Sequence, residues 1–141
     1  MKAVILILTG SFVFMTGCAT NGQAFSPVEN PDVNKAVVYI YRPFNVVACC
    51  LNPHVYIDEV KYGPLKNNAY LVYFVKPGKC MIELRDAMFD ENMTIYPDLA
   101  AGNEYYIRWS IETQLTSHVY KFEVVPKEYA IEEIKLTKKA D

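Results

Sequence analysis

The chain has 141 residues, room for one domain, and its 52% hydrophobic and 21% charged residues exclude a disordered or fibrous polymer. With 14 Lys+Arg against 16 Asp+Glu the net charge is −2, so there is no basic excess to follow a phosphate backbone and nucleic acid is not an expected partner. Eleven Tyr and 7 Phe beside 6 Gly and 8 Pro point to a β-rich fold with frequent turns. Two histidines and four cysteines leave little material for catalysis.

Met1 to Cys18 reads MKAVILILTGSFVFMTGC: one lysine, then an uncharged and mostly apolar run from Ala3 to Gly17. A spanning helix needs roughly 20 apolar residues, so the run is short for one and suits a signal peptide. Its end, Met15-Thr16-Gly17-Cys18, resembles the bacterial lipobox, in which small residues precede a cysteine that takes a diacylglyceryl group. Residues 1–17 are therefore expected to be a lipoprotein signal peptide, and Cys18 the lipidated (palmitate-bearing) first residue of the mature chain. Plain secretory cleavage after Ala19 and an uncleaved anchor are the alternatives. Ala19, where an Asp would resemble an inner-membrane retention signal, favours the outer membrane, facing the periplasm. Residues 18–34, with Asn, Gly, Ser and two Pro and no apolar period, are expected to form a flexible tether, and residues 35–141 the folded domain.

Ala36 to Tyr41 is a continuous β-branched and aromatic run ended by Pro43, and reads as the first strand. His54 to Asp58 is a second, with Val60 to Leu65 returning after a turn. Ala69 to Val75 stops at Pro77-Gly78, and Lys79 to Arg85 is its expected hairpin partner. There Cys80, Ile82 and Leu84 alternate with Met81, Glu83 and Arg85, which turns one face inward. Thr94 to Leu99 is a short strand. In Glu104 to Ser110, Tyr105, Ile107 and Trp109 alternate with Tyr106, Arg108 and Ser110, and Val119 to Val125 follows. Pro126 suits the first turn of a helix, with Glu128 near its start, Lys135 and Lys138 near its end, and Ala130, Ile131 and Ile134 as a short stripe. The expected fold is all-β: an antiparallel two-sheet sandwich of about seven strands with a short C-terminal helix.

Several phrases in order carry a resemblance: Val38-Tyr39-Ile40-Tyr41-Arg42-Pro43, Val55-Tyr56-Ile57-Asp58, Gly63 with Leu65, Pro77-Gly78-Lys79, and Ala101-Gly102-Asn103-Glu104-Tyr105-Tyr106. From about Ala36 to Val125 the chain resembles the small bacterial lipoproteins grouped as domain of unknown function 2846. The resemblance implies a secreted, lipid-anchored β-sandwich and brings no activity with it. The sequence departs from the family where Asp58-Glu59 replaces the usual Asp-Gly, which predicts a longer turn, and at Cys49-Cys50.

Three cysteines remain once Cys18 is lipidated. Export to an oxidising compartment points to a disulfide from Cys80 to Cys50 or Cys49, closing about 30 residues. Buried thiols are the rival reading, and a metal site at Cys49, Cys50 and His54 a weaker one, because C-x-x-C spacing is absent. Neither histidine is joined by spacing to a nucleophile and an orienting acid, and there is no Gly-rich phosphate loop. Glu132-Glu133 and Asp90-Glu91 read as solvated surface. Arg42 and Arg108 read as binding candidates or as structural groups stacked on aromatics or paired with acids. The strand tyrosines read as packing, or as an exposed row for a glycan or protein.

The loop after Arg42 is about 11 residues, long for a hairpin, and Val46 and Val47 are oddly apolar for solvent. With His54 they complete the binding candidates. The functional expectation is a lipid-anchored envelope protein without cofactor or metal that acts by binding an envelope protein or glycan and is not an enzyme. A small periplasmic hydrolase or transferase and a carrier of an apolar ligand are the alternatives.

Overall fold

The computed structural model describes residues 22–89 and 92–140. The signal segment, Cys18, Asp90 and Glu91 lie outside them. In chain order the elements are β1 (Ala36–Arg42), β2 (His54–Ile57), β3 (Val60–Pro64), β4 (Ala69–Val75), β5 (Gly78–Lys79), β6 (Ile82–Arg85), β7 (Met93–Ile95), β8 (Asp98–Leu99), β9 (Glu104–Thr113), β10 (His118–Val125), α1 (Lys127–Ile134) and β11 (Lys138–Lys139). They form a five-stranded sheet in the order β10-β9-β1-β4-β11, a four-stranded sheet β3-β2-β6-β7, and the small pair β5-β8. The chain is mostly β, with one short C-terminal helix. No described helix is long and apolar enough to cross a membrane.

The larger sheet is mixed, not antiparallel throughout, and the expected hairpin of Ala69 to Val75 with Lys79 to Arg85 does not form: β4 pairs with β1 and β11, and β6 with β2 and β7. β1 runs antiparallel to β4 but parallel to β9, with Val37 opposite Glu104 and Tyr41 opposite Arg108, and β11 runs parallel to β4. Parallel neighbours are far apart in sequence, because the chain must cross over between them. Here β2 to β8 lie between β1 and β9 in the chain.

The central position of β1 explains its composition. Every residue from Ala36 to Arg42 is at most 1% exposed. A strand covered on both faces reads as an unbroken apolar run, without alternation. One face, through Ala36, Val38 and Ile40, joins Val55 and Ile57 of β2, Ile82 and Leu84 of β6, and Ile107 and Trp109 of β9 in the core between the sheets. The other face, through Val37, Tyr39 and Tyr41, packs with Tyr70, Tyr106 and Val125 under Ala130 and Ile134 of α1.

This second core needs a cover, and the segment expected to be a tether supplies part of it. Phe25 and Val28 pack on it. The Phe25 ring stands edge-on to Tyr39 and Tyr70, with centroids 5.5 and 5.2 Å away. The Val28 N–H donates to the Tyr39 hydroxyl at 2.9 Å, and the Lys139 N–H donates to the Gln23 carbonyl at 2.8 Å. From Gly22 onward the segment is therefore docked. Two apolar side chains among the polar residues are enough, because the tyrosine face would otherwise be open to water. Of the strand tyrosines, Tyr39, Tyr41, Tyr70 and Tyr106 are core residues at most 4% exposed, and Tyr56, Tyr73 and Tyr105 are half-buried.

Two local expectations are also corrected. The Asp58-Glu59 turn stays at two residues, with φ of 46° and 66°, the left-handed pair a tight hairpin needs. Asp58 is held there by its N–H donating to the Met81 carbonyl and its Oδ1 accepting from the Met81 N–H, both 2.9 Å. Those bonds replace the ease of a glycine. At the helix, Pro126 is the N-cap and Lys138 belongs to β11, not to the last helical turn.

Strand direction gathers one rim of the molecule. β1 ends at Arg42, opposite Ala69, and Ala69 also faces Lys138. β9 continues past Tyr41's level to Thr113, opposite His118 of β10. The 43–53 loop, the β9–β10 turn and the α1–β11 connection thus share one end, with Ala24 at its edge opposite Lys138.

Candidate functional site

Arg42 closes β1 at this rim, and it is buried without a carboxylate among the described residues. Its guanidinium lies over the Trp109 ring, 4.4 Å from the centroid. One terminal nitrogen donates to the Leu51 carbonyl and the other to the Ala48 carbonyl. Burial pulls the Arg42 pKa down to about 10, with the nearby Cys49 opposing. The group stays charged at neutral pH and holds the 43–53 loop from both sides of Cys49-Cys50.

Those two cysteines are the central residues of a turn closed by the Leu51 N–H donating to the Ala48 carbonyl at 3.1 Å. Their sulfurs are 3.4 Å apart. Cys80 forms no bridge to either of them. It sits in the core between the sheets, whereas the clamped turn carries Cys50 on the surface and buries only Ala48. Burial lifts the Cys80 thiol to about 11. The disulfide expectation rested on thiol number and compartment, and the fold sends the thiols to different places.

The start of the loop is tied down as well. The Asn45 N–H donates to Asn67 Oδ1 and Asn67 Nδ2 donates to the Asn45 carbonyl, both 3.0 Å, while Asn45 Nδ2 reaches the Ile111 carbonyl at 3.2 Å. Val46 and Val47 project at 72% and 55% exposure.

Arg108, on the opposite face of β9 from Trp109, donates to Glu133 Oε1 at 2.8 Å and Glu123 Oε1 at 2.7 Å. Glu133 also accepts from the Tyr41 hydroxyl at 2.6 Å. Glu133 is therefore a fastener between helix and sheet and not merely solvated surface. Glu123, then burial opposing it, then Glu133 set the Arg108 pKa, which is raised.

Arg42 and Arg108, single candidates in the sequence, meet in the wall of one cavity of about 290 Å³, with Phe44, Asn45, Trp109 and Glu133. Among the described residues, five buried side-chain polar atoms have no hydrogen-bond partner. Three of them, Arg42 Nε, Arg108 Nε and Trp109 Nε1, belong to residues lining this cavity. Each is a donor, while the carboxylates in the same wall include Glu133, which is held by Arg108 and Tyr41. A buried donor without an acceptor costs about 1–3 kcal/mol, and such groups in a native fold call for an explanation.

His54 lies elsewhere, along a shallow depression with Asn52, Tyr56, Arg85 and Asp86. Among the described residues no group of three or more His, Cys, Asp and Glu is placed to hold a metal ion. Sequence reasoning missed Trp109, Asn45, Asn67 and Glu133 as site residues. Trp109 is the single tryptophan of the chain, the one signal that could have drawn attention to it.

No curated protein matches the chain. The sequence profile of the proteins of unknown function DUF2846 matches residues 32–122, from before β1 to within β10. That span includes both large sheets up to β10 and every cavity residue named above except Glu133. The chain belongs to the DUF2846 family.

Proposed function

We propose that the protein is a lipid-anchored envelope protein that works by binding, and that its site is the cavity between Arg42, Arg108 and Trp109. The ligand it suits carries hydrogen-bond acceptors: a carboxylate, a phosphate or a carbonyl group. The observation that carries this reading is the meeting of two guanidinium groups, Arg42 and Arg108, in the lining of one cavity with Trp109, each with an unpartnered Nε. Arg42 is partnered by two main-chain carbonyls and the Trp109 ring, with no carboxylate on it among the described residues. The lipobox-like Met15 to Cys18 supports the anchor. The space between the sheets is filled by core side chains, which gives no support to an apolar-ligand carrier. The depression beside His54 is lined by Asn52, Tyr56, Arg85 and Asp86 and by no cysteine, which gives no support to a hydrolase built on a thiol and that histidine.

The single tryptophan makes the test simple, since one indole N–H signal reports the cavity wall. The ¹⁵N-labelled full chain in detergent micelles is titrated with acetate and with inorganic phosphate. A saturable shift of the Trp109 indole signal is expected with at least one of them, reduced in Arg108→Gln. An indole signal unmoved by both would contradict the assignment.

A further inference from the structure

We propose that the adjacent cysteines Cys49 and Cys50 form a two-thiol chelate site for a trivalent metalloid, arsenic(III) or antimony(III). The site is separate from the Arg42 cavity, whose lining includes neither cysteine.

Neighbouring side chains on a strand point to opposite faces and could not share one ligand. Cys49 and Cys50 instead occupy the centre of the turn closed by the Leu51 N–H on the Ala48 carbonyl, which brings their sulfurs within 3.4 Å. Both are present as thiols, Cys50 on the surface and Cys49 half-buried. The turn is held from its buried side, because Arg42 donates to the Ala48 and Leu51 carbonyls, immediately before and after the pair. The guanidinium is also close enough to Cys49 for their charges to interact. A neighbouring positive charge favours thiolate, the form that binds soft ions.

Two adjacent thiols are poorly placed to join each other. Unstrained disulfides link Cα atoms about 4.4–6.8 Å apart, whereas neighbours across a trans peptide are about 3.8 Å apart. A Cys49–Cys50 bond would close a small strained ring, and strain makes a disulfide easier to reduce. An atom inserted between the sulfurs widens that ring and relieves it. Cys80 offers no other partner, since it lies in the core between the sheets.

The spacing then selects the occupant. With sulfur–ion bonds of about 2.3 Å, sulfurs 3.4 Å apart subtend about 95° at the ion. That is close to the angle kept by pyramidal arsenic(III) and antimony(III), whose lone pair pushes their three bonds to one side. A linear two-coordinate ion would need the sulfurs about 4.6 Å apart, and a structural zinc takes four ligands. No group of three or more His, Cys, Asp and Glu among the described residues could complete such a set. Two thiolates and one hydroxide do complete a pyramid. In the binding step arsenous acid, As(OH)₃, forms two As–S bonds and loses two As–O bonds. Each thiol proton leaves with a hydroxyl as water, the third hydroxyl stays, and arsenic remains trivalent.

The test uses the full chain purified in detergent. Alkylation before reduction first reports the state of the thiols as isolated; the phosphine-reduced chain is then titrated with arsenite or zinc(II) and followed by native mass spectrometry. One arsenic per chain is expected, held more tightly than zinc. The second As–S bond forms within one molecule, so Cys49→Ser and Cys50→Ser should each weaken binding by about 100-fold or more. Cys80→Ala should bind as the wild type does. Both serine variants alter only the turn, and their melting temperatures should match the wild type, so that lost arsenic reports the site and not the fold. No uptake of arsenic, uptake that survives in either serine variant, or tighter binding of zinc overturns the proposal. A chain isolated with Cys49 and Cys50 already joined to each other also overturns it, because the pair would then close without an ion.

Discussion

Replacing Arg42 with alanine should lower the unfolding free energy by about 3 kcal/mol in urea denaturation, although the residue makes no ion pair with a carboxylate among those described. Two hydrogen bonds from a charged donor contribute about 1.5–3 kcal/mol each, and a desolvated stack on tryptophan about 2 kcal/mol. Burial of the charge, seen in the lowered Arg42 pKa, offsets part of that sum. The Leu51 carbonyl would lose the Arg42 donor and the Ala48 carbonyl would keep only the Leu51 N–H, so the 43–53 loop should also become the first site of proteolysis. Arg42→Lys should recover little, since a single ammonium cannot span two carbonyls and stack on a ring at once. A loss below about 1 kcal/mol, with the loop still protected, would show that the clamp is not what holds it.

The second large effect should appear in alkali. Burial raises the phenol pKa of Tyr39, Tyr41, Tyr70, Tyr73 and Tyr106, with Glu133 adding to it at Tyr41 and Glu104 at Tyr106. Cys80 follows, up to about 11. In each case the folded state keeps its proton to higher pH than the unfolded chain does. The resulting stability is complete below the unfolded pKa, about 10 for tyrosine, and is lost as pH rises through the folded one. Between pH 10 and 12 each strongly shifted phenol should cost about 2 kcal/mol. Tyr41, Tyr73 and Tyr106 together then reach about 6 kcal/mol, comparable with the whole stability of a small domain. Near-ultraviolet circular dichroism should therefore collapse in one step between pH 10 and 12, together with tyrosinate absorbance. Tyrosinate appearing near pH 10 with the dichroism intact would mean that these phenols reach solvent.

The strands were legible in the sequence because their cause is local. Ala36 to Tyr41 is unbroken because both faces of β1 are covered, and Cys80, Ile82 and Leu84 alternate because one face of their strand meets the core. The parallel β1–β9 pairing was not legible, since no local pattern states which distant strand lies alongside. The site went unread for that reason. Arg42 and Arg108 could each be singled out, but only the register setting Tyr41 opposite Arg108 brings them to one cavity with Trp109. The docked segment was hidden by its Asn, Pro and Ser content, because Phe25 and Val28 acquire a purpose only beside Tyr39 and Tyr70. Glu133 looked like half of an acidic pair until Tyr41 and Arg108 came within reach across the sheet.

The proposed anchoring of this domain to a bilayer through Cys18 is read out by metabolic labelling with a fatty-acid analogue. The wild-type chain should carry the label and remain with the membrane fraction after a high-salt wash. Cys18→Ala should lose the label and leave that fraction. Equal labelling of the two proteins, or an unlabelled wild type recovered in the soluble fraction, would contradict the claim.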